Sequence, residues 1–268
     1  MSPVTKITVS QLLTYPVKSC RGIELQSTMV EDFGLKDDRR WMVVDENGMM
    51  LTQRKLSAMC LINTVLTETG IMLSALTMEP LQVTIPGPVN TCKVKVWDDE
   101  CYSYDAGDEA AKWLSRFLGV TCRLVYFPAD EIRQVDLNFA NKGDKTAFSD
   151  GFPLLLISQA SLEDLNSRLY SPVSMNRFRP NIVVQGCQPY EEDSWKKIKI
   201  GDILYHLVKP CSRCVIPSIN PETAEREDEL TKTLIGYRKR DNKIFFGQNV
   251  IAQASGQVDV GMRIEVIE

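Results

Sequence analysis

The stretch 61–104, LINTVLTETGIMLSALTMEPLQVTIPGPVNTCKVKVWDDECYSY, decides the fold class. Short apolar runs recur at 61–66, 71–76, 81–85, 94–97 and 101–104, separated by Thr69-Gly70, Pro86-Gly87-Pro88 and Asp98-Asp99. Runs this short, rich in Val, Ile and Leu and divided by glycine, proline and aspartate, predict antiparallel strands of a barrel or sandwich. The first half of the chain is therefore expected to be mainly β.

Upstream, 7–17 reads as a strand that runs into Tyr15-Pro16-Val17-Lys18-Ser19-Cys20-Arg21-Gly22. Proline fixes the backbone and removes a donor, so Lys18 and Ser19 fall in a constrained turn suited to anion contact. A further strand is expected at 23–30. Another at 42–45 turns at Asn47-Gly48 and returns through 49–54. Arg39 and Arg40 are adjacent in an extended run, so they face opposite ways, one toward a site and the other toward solvent.

Downstream, 108–119 predicts a helix capped by Asp108 and ended by Gly119, with Ala110, Trp113, Leu114 and Phe117 on one face. After a strand at 122–127, the polar segment 128–145 shows little periodicity, and the domain boundary is expected there. Beyond it come Phe148-Ser149-Asp150-Gly151-Phe152-Pro153, a strand at 154–157 and a helix at 161–169. The run 176–184 alternates so that Arg177, Arg179 and Asn181 share one side of a strand. Two strands over 196–208, a helix at 229–237 and closing strands at 250–254 and 258–267 complete the chain. The fold class is α+β, mainly β: a β-barrel-like domain over 1–127, then a second β-barrel domain over 128–268 with a few peripheral helices.

At 268 residues and a net charge of −4, the chain shows no basic field for nucleic acid or an acidic membrane. No apolar run approaches the ~20 residues that span a bilayer, and the first residues lack a signal-peptide pattern. Eight scattered cysteines in a chain this large read as reduced thiols of a cytoplasmic protein.

The chemistry concentrates at Lys209-Pro210-Cys211-Ser212-Arg213-Cys214. Thiolates are soft ligands for zinc, copper(I), iron-sulfur clusters or molybdenum, and an arginine between them adds an always-charged fork of donors. Closing a zinc site takes further Cys or His ligands, yet no second C-x-x-C occurs and His206 is the one histidine. A thioredoxin-like pair would sit at a helix start, whereas 215–221 reads as extended. Structural thiols, zinc and another metal cofactor all remain open on these residues alone.

In chain order, YPVKSCRG (15–22), DRRW (38–41), FSDGFP (148–153), RFRPNIVV (177–184), KPCSRC (209–214) and FGQN (246–249) resemble the MOSC family. The family takes its name from the C-terminal domain of molybdenum cofactor sulfurase. The resemblance is to the branch with an N-terminal MOSC β-barrel domain, which includes bacterial YcbX and the mitochondrial amidoxime-reducing components. It implies a molybdenum cofactor in a cleft between and within the two domains, with Cys214 ligating the metal and Ser212 and Arg213 beside it. Lys18, Ser19 and Arg39 would hold the phosphate and pterin, and Ser149, Asp150, Arg179 and Asn181 would complete the cradle. Asp150 is also a candidate for assisting proton delivery, Cys211 supports the loop and Cys187 is expected to be buried.

The implied activity is reduction of N-hydroxylated compounds such as amidoximes, hydroxylamines and N-hydroxylated bases. YcbX-type proteins carry a ferredoxin-like domain and the mitochondrial relatives a membrane anchor. The chain shows neither pattern, so a separate electron-transfer protein is expected, a flavin reductase with a ferredoxin or cytochrome. The alternative implied by the same resemblance is a non-catalytic cofactor carrier or sulfur-transfer module.

Overall fold

The computed structural model describes residues 6–268, and the signal-peptide reading of the first five residues lies outside them. Among the described residues the chain is mainly β with three α-helices. Its largest sheet has nine strands. Eight follow the order Ile264–Val266, Lys197–Ile200, Ile203–Arg213, Lys243–Ala252, Leu154–Ser158, Ile182–Gln185, Thr8–Thr14 and Ile23–Leu25, and Lys239–Arg240 pairs with Lys243–Ala252. Leu154–Ser158 runs parallel to Ile182–Gln185. That parallel pair requires a crossover, and the helix Gln159–Asn166, capped by Ser158 Oγ accepting from the Ser161 amide, lies within it.

The region expected to be a run of short strands forms two sheets. One orders Trp41–Val44, Arg123–Tyr126, Asp99–Asp105 and Thr91–Val96, and the other Asn63–Thr67, Gly70–Ala75 and Met78–Thr84. The helix Asp108–Leu118 buries Ala110, Ala111, Trp113 and Leu114 against them. Gly107, rather than Asp108, occupies its cap; Asp108 lies in the first turn and pairs with Arg123 at 3.0 Å. Gly119 ends the helix in the left-handed conformation at φ 71°.

Other expectations change as well. The run 23–30 breaks at Gln26 into Ile23–Leu25 and Ser27–Glu31, which join different sheets. Ser27–Glu31 pairs with Gly256–Asp259, and Thr8–Thr14 lies beside Ile182–Gln185, so the sheets tie the start of the chain to its second half. The segment 176–184 is not one strand, because Pro180 cannot donate to a ladder and the strand begins after it, at Ile182. Arg177 consequently leaves the expected face, donating to Glu227 at 2.5 Å and to Pro217 O. Arg40 is buried rather than solvated, its Nη2 donating to Phe127 O at 2.6 Å beneath the rings of Phe33 and Tyr126. Cys187 is half-buried.

Candidate functional site

Segments distant in sequence meet at one cleft: the turn after Thr8–Thr14, the turn before Trp41–Val44, Arg54, the segments 149–155 and 178–181, Asn249 and the end of Ile203–Arg213. The last is aimed by its own irregularity. The strand shifts register on both sides of Lys209 and Pro210, as a proline in a ladder requires, and this bend carries Ser212 and Arg213 to the cleft. Ser19 (φ 69°), Arg39 (φ 48°) and Arg179 (φ 58°) are non-glycine residues in the left-handed region, and all three line it. Such strained positions concentrate at ligand sites.

The cleft is open to solvent. Lys18, Ser19, Arg39, Ser149, Asp150, Arg179, Asn181, Ser212, Arg213 and Cys214, the residues singled out from sequence, all line it. Lys18 Nζ donates to Phe148 O at 2.7 Å and to Asp150 Oδ1 at 2.6 Å. Burial of Lys18 draws its ammonium down to about 8, against the opposing pull of Asp150. Desolvation works against the charge on Asp150, but the Lys18 ammonium and Arg54 guanidinium outweigh it and hold the carboxyl well below the usual range. In this arrangement the Asp150 carboxylate anchors two cations, Lys18 and Arg54.

Arg39 is held from two sides. Its Nη1 donates to Asp38 Oδ2 and to Asn181 Oδ1 at 3.1 Å, and its Nη2 to Arg179 O at 3.1 Å. The guanidinium groups of Arg39 and Arg179 both lie over the ring of Tyr15, 4.5 and 4.2 Å from its centroid. Arg179 Nη1 donates to Cys20 O, and Asn181 Nδ2 to Leu13 O. On the facing wall, Arg213 Nη2 donates to Phe178 O at 2.6 Å and its Nη1 to Cys211 Sγ at 3.2 Å. Cys214 is exposed, its Sγ accepting from Arg54 Nη2 at 3.3 Å and from the Ile216 amide at 3.4 Å.

Three contributors carry no local sequence signal. Arg54 reaches Asp150 Oδ2 at 3.1 Å as well as Cys214. Trp97 stacks beneath Arg54, 4.4 Å from ring centroid to guanidinium, and donates Nε1 to Asp150 Oδ1 at 3.3 Å. Arg133, buried and paired with Asp99, donates to Ala147 O, Ser149 O and Asp150 O and so fixes the backbone of the 147–150 segment. Each acts across a long sequence separation, where neither periodicity nor a motif reaches. Asp38, by contrast, lies inside the quoted DRRW.

Four buried donors on the lining residues have no partner within the protein: Ser149 Oγ, Arg54 Nη1, Arg179 Nη2 and Arg213 Nε. Buried polar groups are ordinarily satisfied, so donors without acceptors fit an acceptor-rich anion. Among the described residues, no group of three or more His, Cys, Asp or Glu converges as a metal site. One exposed thiol beside a cationic cleft suits a metal that arrives with other ligands already attached.

A family model for the MOSC N-terminal beta barrel domain matches residues 6–121, and one for the MOSC domain matches residues 143–265. The chain belongs to the MOSC family. This MOSC protein is 37% identical to "Mitochondrial amidoxime-reducing component 1" of Mus musculus over 95% of its own length and 80% of the relative's. It is also 37% identical to the Homo sapiens protein of the same name, over 95% and 81%. It is 32% identical to "Molybdenum cofactor sulfurase" of Oryza sativa subsp. japonica over 91% of its length, which is 32% of that protein. Among its described residues, no helix is long and apolar enough to cross a membrane.

Proposed function

We propose that this MOSC protein is a molybdenum-cofactor-dependent reductase of N-hydroxylated compounds, with Cys214 as the side-chain ligand of the metal. The observation that carries this reading is the exposed Cys214 thiol at a cleft where four buried donors lack acceptors. A thiolate is a soft ligand suited to molybdenum, and guanidinium forks suit a phosphate. Kinship with proteins named amidoxime-reducing components supports the substrate class.

When bound, the cofactor would supply the oxygen-atom and electron chemistry, in which two electrons and two protons turn the N-bound oxygen into water. The chain's own residues bind and orient. Lys18, Ser19, Arg39, Ser149, Asp150, Arg179, Asn181, Ser212 and Arg213 form the cradle, from parts of both proposed domains, 1–127 and 128–268. Arg39 is presented by Asp38 and Asn181, Lys18 by Asp150 and Phe148 O. Asp150 also draws Arg54 to the rim beside Cys214. Eight free cysteines suit a reducing compartment such as the cytoplasm.

Electrons come from a separate protein, a flavin reductase with a small ferredoxin or cytochrome. The names of its relatives, which call them components of an amidoxime-reducing activity, support a partner protein. The test is benzamidoxime reduction by purified holo-protein, first with reduced viologen, then with NADH or NADPH alone, then with the partner proteins added. Turnover with viologen or partners, and none with the nucleotide alone, is expected. Sustained turnover with NADH alone would defeat the need for a partner. The kinship with a cofactor sulfurase favours one other reading, a carrier or sulfur-transfer module. That reading prevails if holo-protein with intact pterin turns over no amidoxime under viologen.

A further inference from the structure

We propose that Trp97 is a specificity-determining residue. Its indole forms a shelf at the mouth of the cleft that takes flat, conjugated N-hydroxylated compounds, such as aryl amidoximes and N-hydroxylated bases, in preference to small aliphatic ones. The proposal rests on the reading of the cleft as a reductase site.

Trp97 is the first of two residues joining the strands Thr91–Val96 and Asp99–Asp105, in a hairpin that pairs Val96 with Asp99. Its φ of 57° puts a bulky aromatic residue where two-residue hairpins favour glycine or asparagine. A side chain in this conformation persists when its surroundings over-determine it, and such positions cluster at ligand sites. Here the surroundings belong to the cleft. The indole Nε1 is tied to Asp150 Oδ1, and the Arg54 guanidinium stacked on the ring is itself 3.3 Å from Cys214 Sγ. One guanidinium therefore separates the indole from the candidate metal ligand.

Despite these tethers, Trp97 is 41% exposed. A rigid aromatic with an uncovered surface loses little entropy on receiving a second planar group, and offset stacking gains beyond simple area burial. The plane of an aryl amidoxime offers such a group next to the N–O bond to be reduced. A small aliphatic amidoxime has far less surface to stack.

A residue that merely clamped Arg54 and Asp150 would affect every substrate alike, and this separates the two roles. Holo-protein of the wild type, Trp97→Phe and Trp97→Gly is compared by calorimetric binding of benzamidoxime and acetamidoxime to the oxidised form, and by KM and kcat with reduced viologen. Glycine suits the backbone at φ 57°, so the turn is kept in that variant. Trp97→Gly is expected to lose about 3- to 10-fold of the preference for benzamidoxime over acetamidoxime, chiefly in KM, while Trp97→Phe retains most of it. Equal losses for both compounds, or an unchanged preference, overturn the shelf. Binding is measured without turnover, so a wild type that reduces neither compound defeats the reductase reading while the binding preference still decides the role of Trp97.

Discussion

Cys214 Sγ is exposed and accepts from Arg54 and the Ile216 amide, whereas Cys211 is half-buried and its Sγ accepts from Arg213 Nη1. With Cys214 as ligand, Cys214→Ser exchanges a soft thiolate for a hydroxyl and abolishes amidoxime reduction, while Cys211→Ser keeps much of it. The check is activity alongside molybdenum and pterin content; equal losses at equal loading would contradict the assignment. Lys18 supplies a pH signature. Its pKa of about 8 in the fold lies below the 10.5 of a free lysine, so folding disfavours its charged form. The stability linked to Lys18 therefore grows as pH rises from about 8 toward 10.5. Binding of an anion runs the opposite way, because the ammonium that holds a phosphate is lost above about 8. Affinity for the free cofactor is expected to fall above pH 8, by up to about tenfold per unit if Lys18 carries the contact. Lys18→Arg, charged throughout, should flatten that decline in equilibrium dialysis, and a decline as steep as the wild type's would remove Lys18 from the cradle.

The segment 147–150 is an element without regular structure, and its geometry comes from Arg133. One buried guanidinium donates to three of its carbonyls and pairs with Asp99, so Arg133→Met is expected to cost about 2–4 kcal/mol and to lower cofactor retention. Arg133→Lys should recover little, because a point ammonium cannot span three carbonyls. Urea unfolding and pterin content check both, and unchanged stability in Arg133→Met would show that the segment holds itself. Arg133 also shows where sequence reading stops. The strands of 61–104 were legible because alternation and turn residues are local, and the observed strands begin and end within two or three residues of the expected ones. The lining residues were legible because several motifs in order carried the family resemblance. Arg54, Trp97 and Arg133 were not, since each meets Asp150 across 96, 53 and 17 residues through contacts that no local pattern encodes. The placement of Arg177 was misjudged for a local reason, the interruption of the ladder by Pro180.

At the scale of the molecule, the two ends of the chain close on each other. Thr8 bridges to Arg263, the Ile264 amide donates to Ile7 O, and Gly256–Asp259 pairs with Ser27–Glu31. The strand Thr8–Thr14 thus carries the Lys18–Ser19 turn within a sheet that also contains Ile203–Arg213, the strand leading to Cys214. The cleft consequently exists only in the folded chain: Lys18 and Asp150 lie 132 residues apart in sequence, Arg54 and Cys214 160 apart. A ligand that binds such a site has little affinity for the unfolded chain, so it stabilises the fold by mass action. At a free concentration of about 100 times Kd the gain is about 2.7 kcal/mol, which for a chain of this size corresponds to about 5–10 °C in Tm. Protein purified from a host unable to make the cofactor should therefore melt that much lower than holo-protein. The interleaved sheets make one transition the expectation in both forms. Arg39→Ala, which removes a cradle cation held by Asp38 and Asn181, should forfeit most of the gain under limiting cofactor while unfolding in the same single step. Scanning calorimetry of the four samples decides it: coincident melting of apo- and holo-protein would mean that the group is not held by contacts from both ends of the chain.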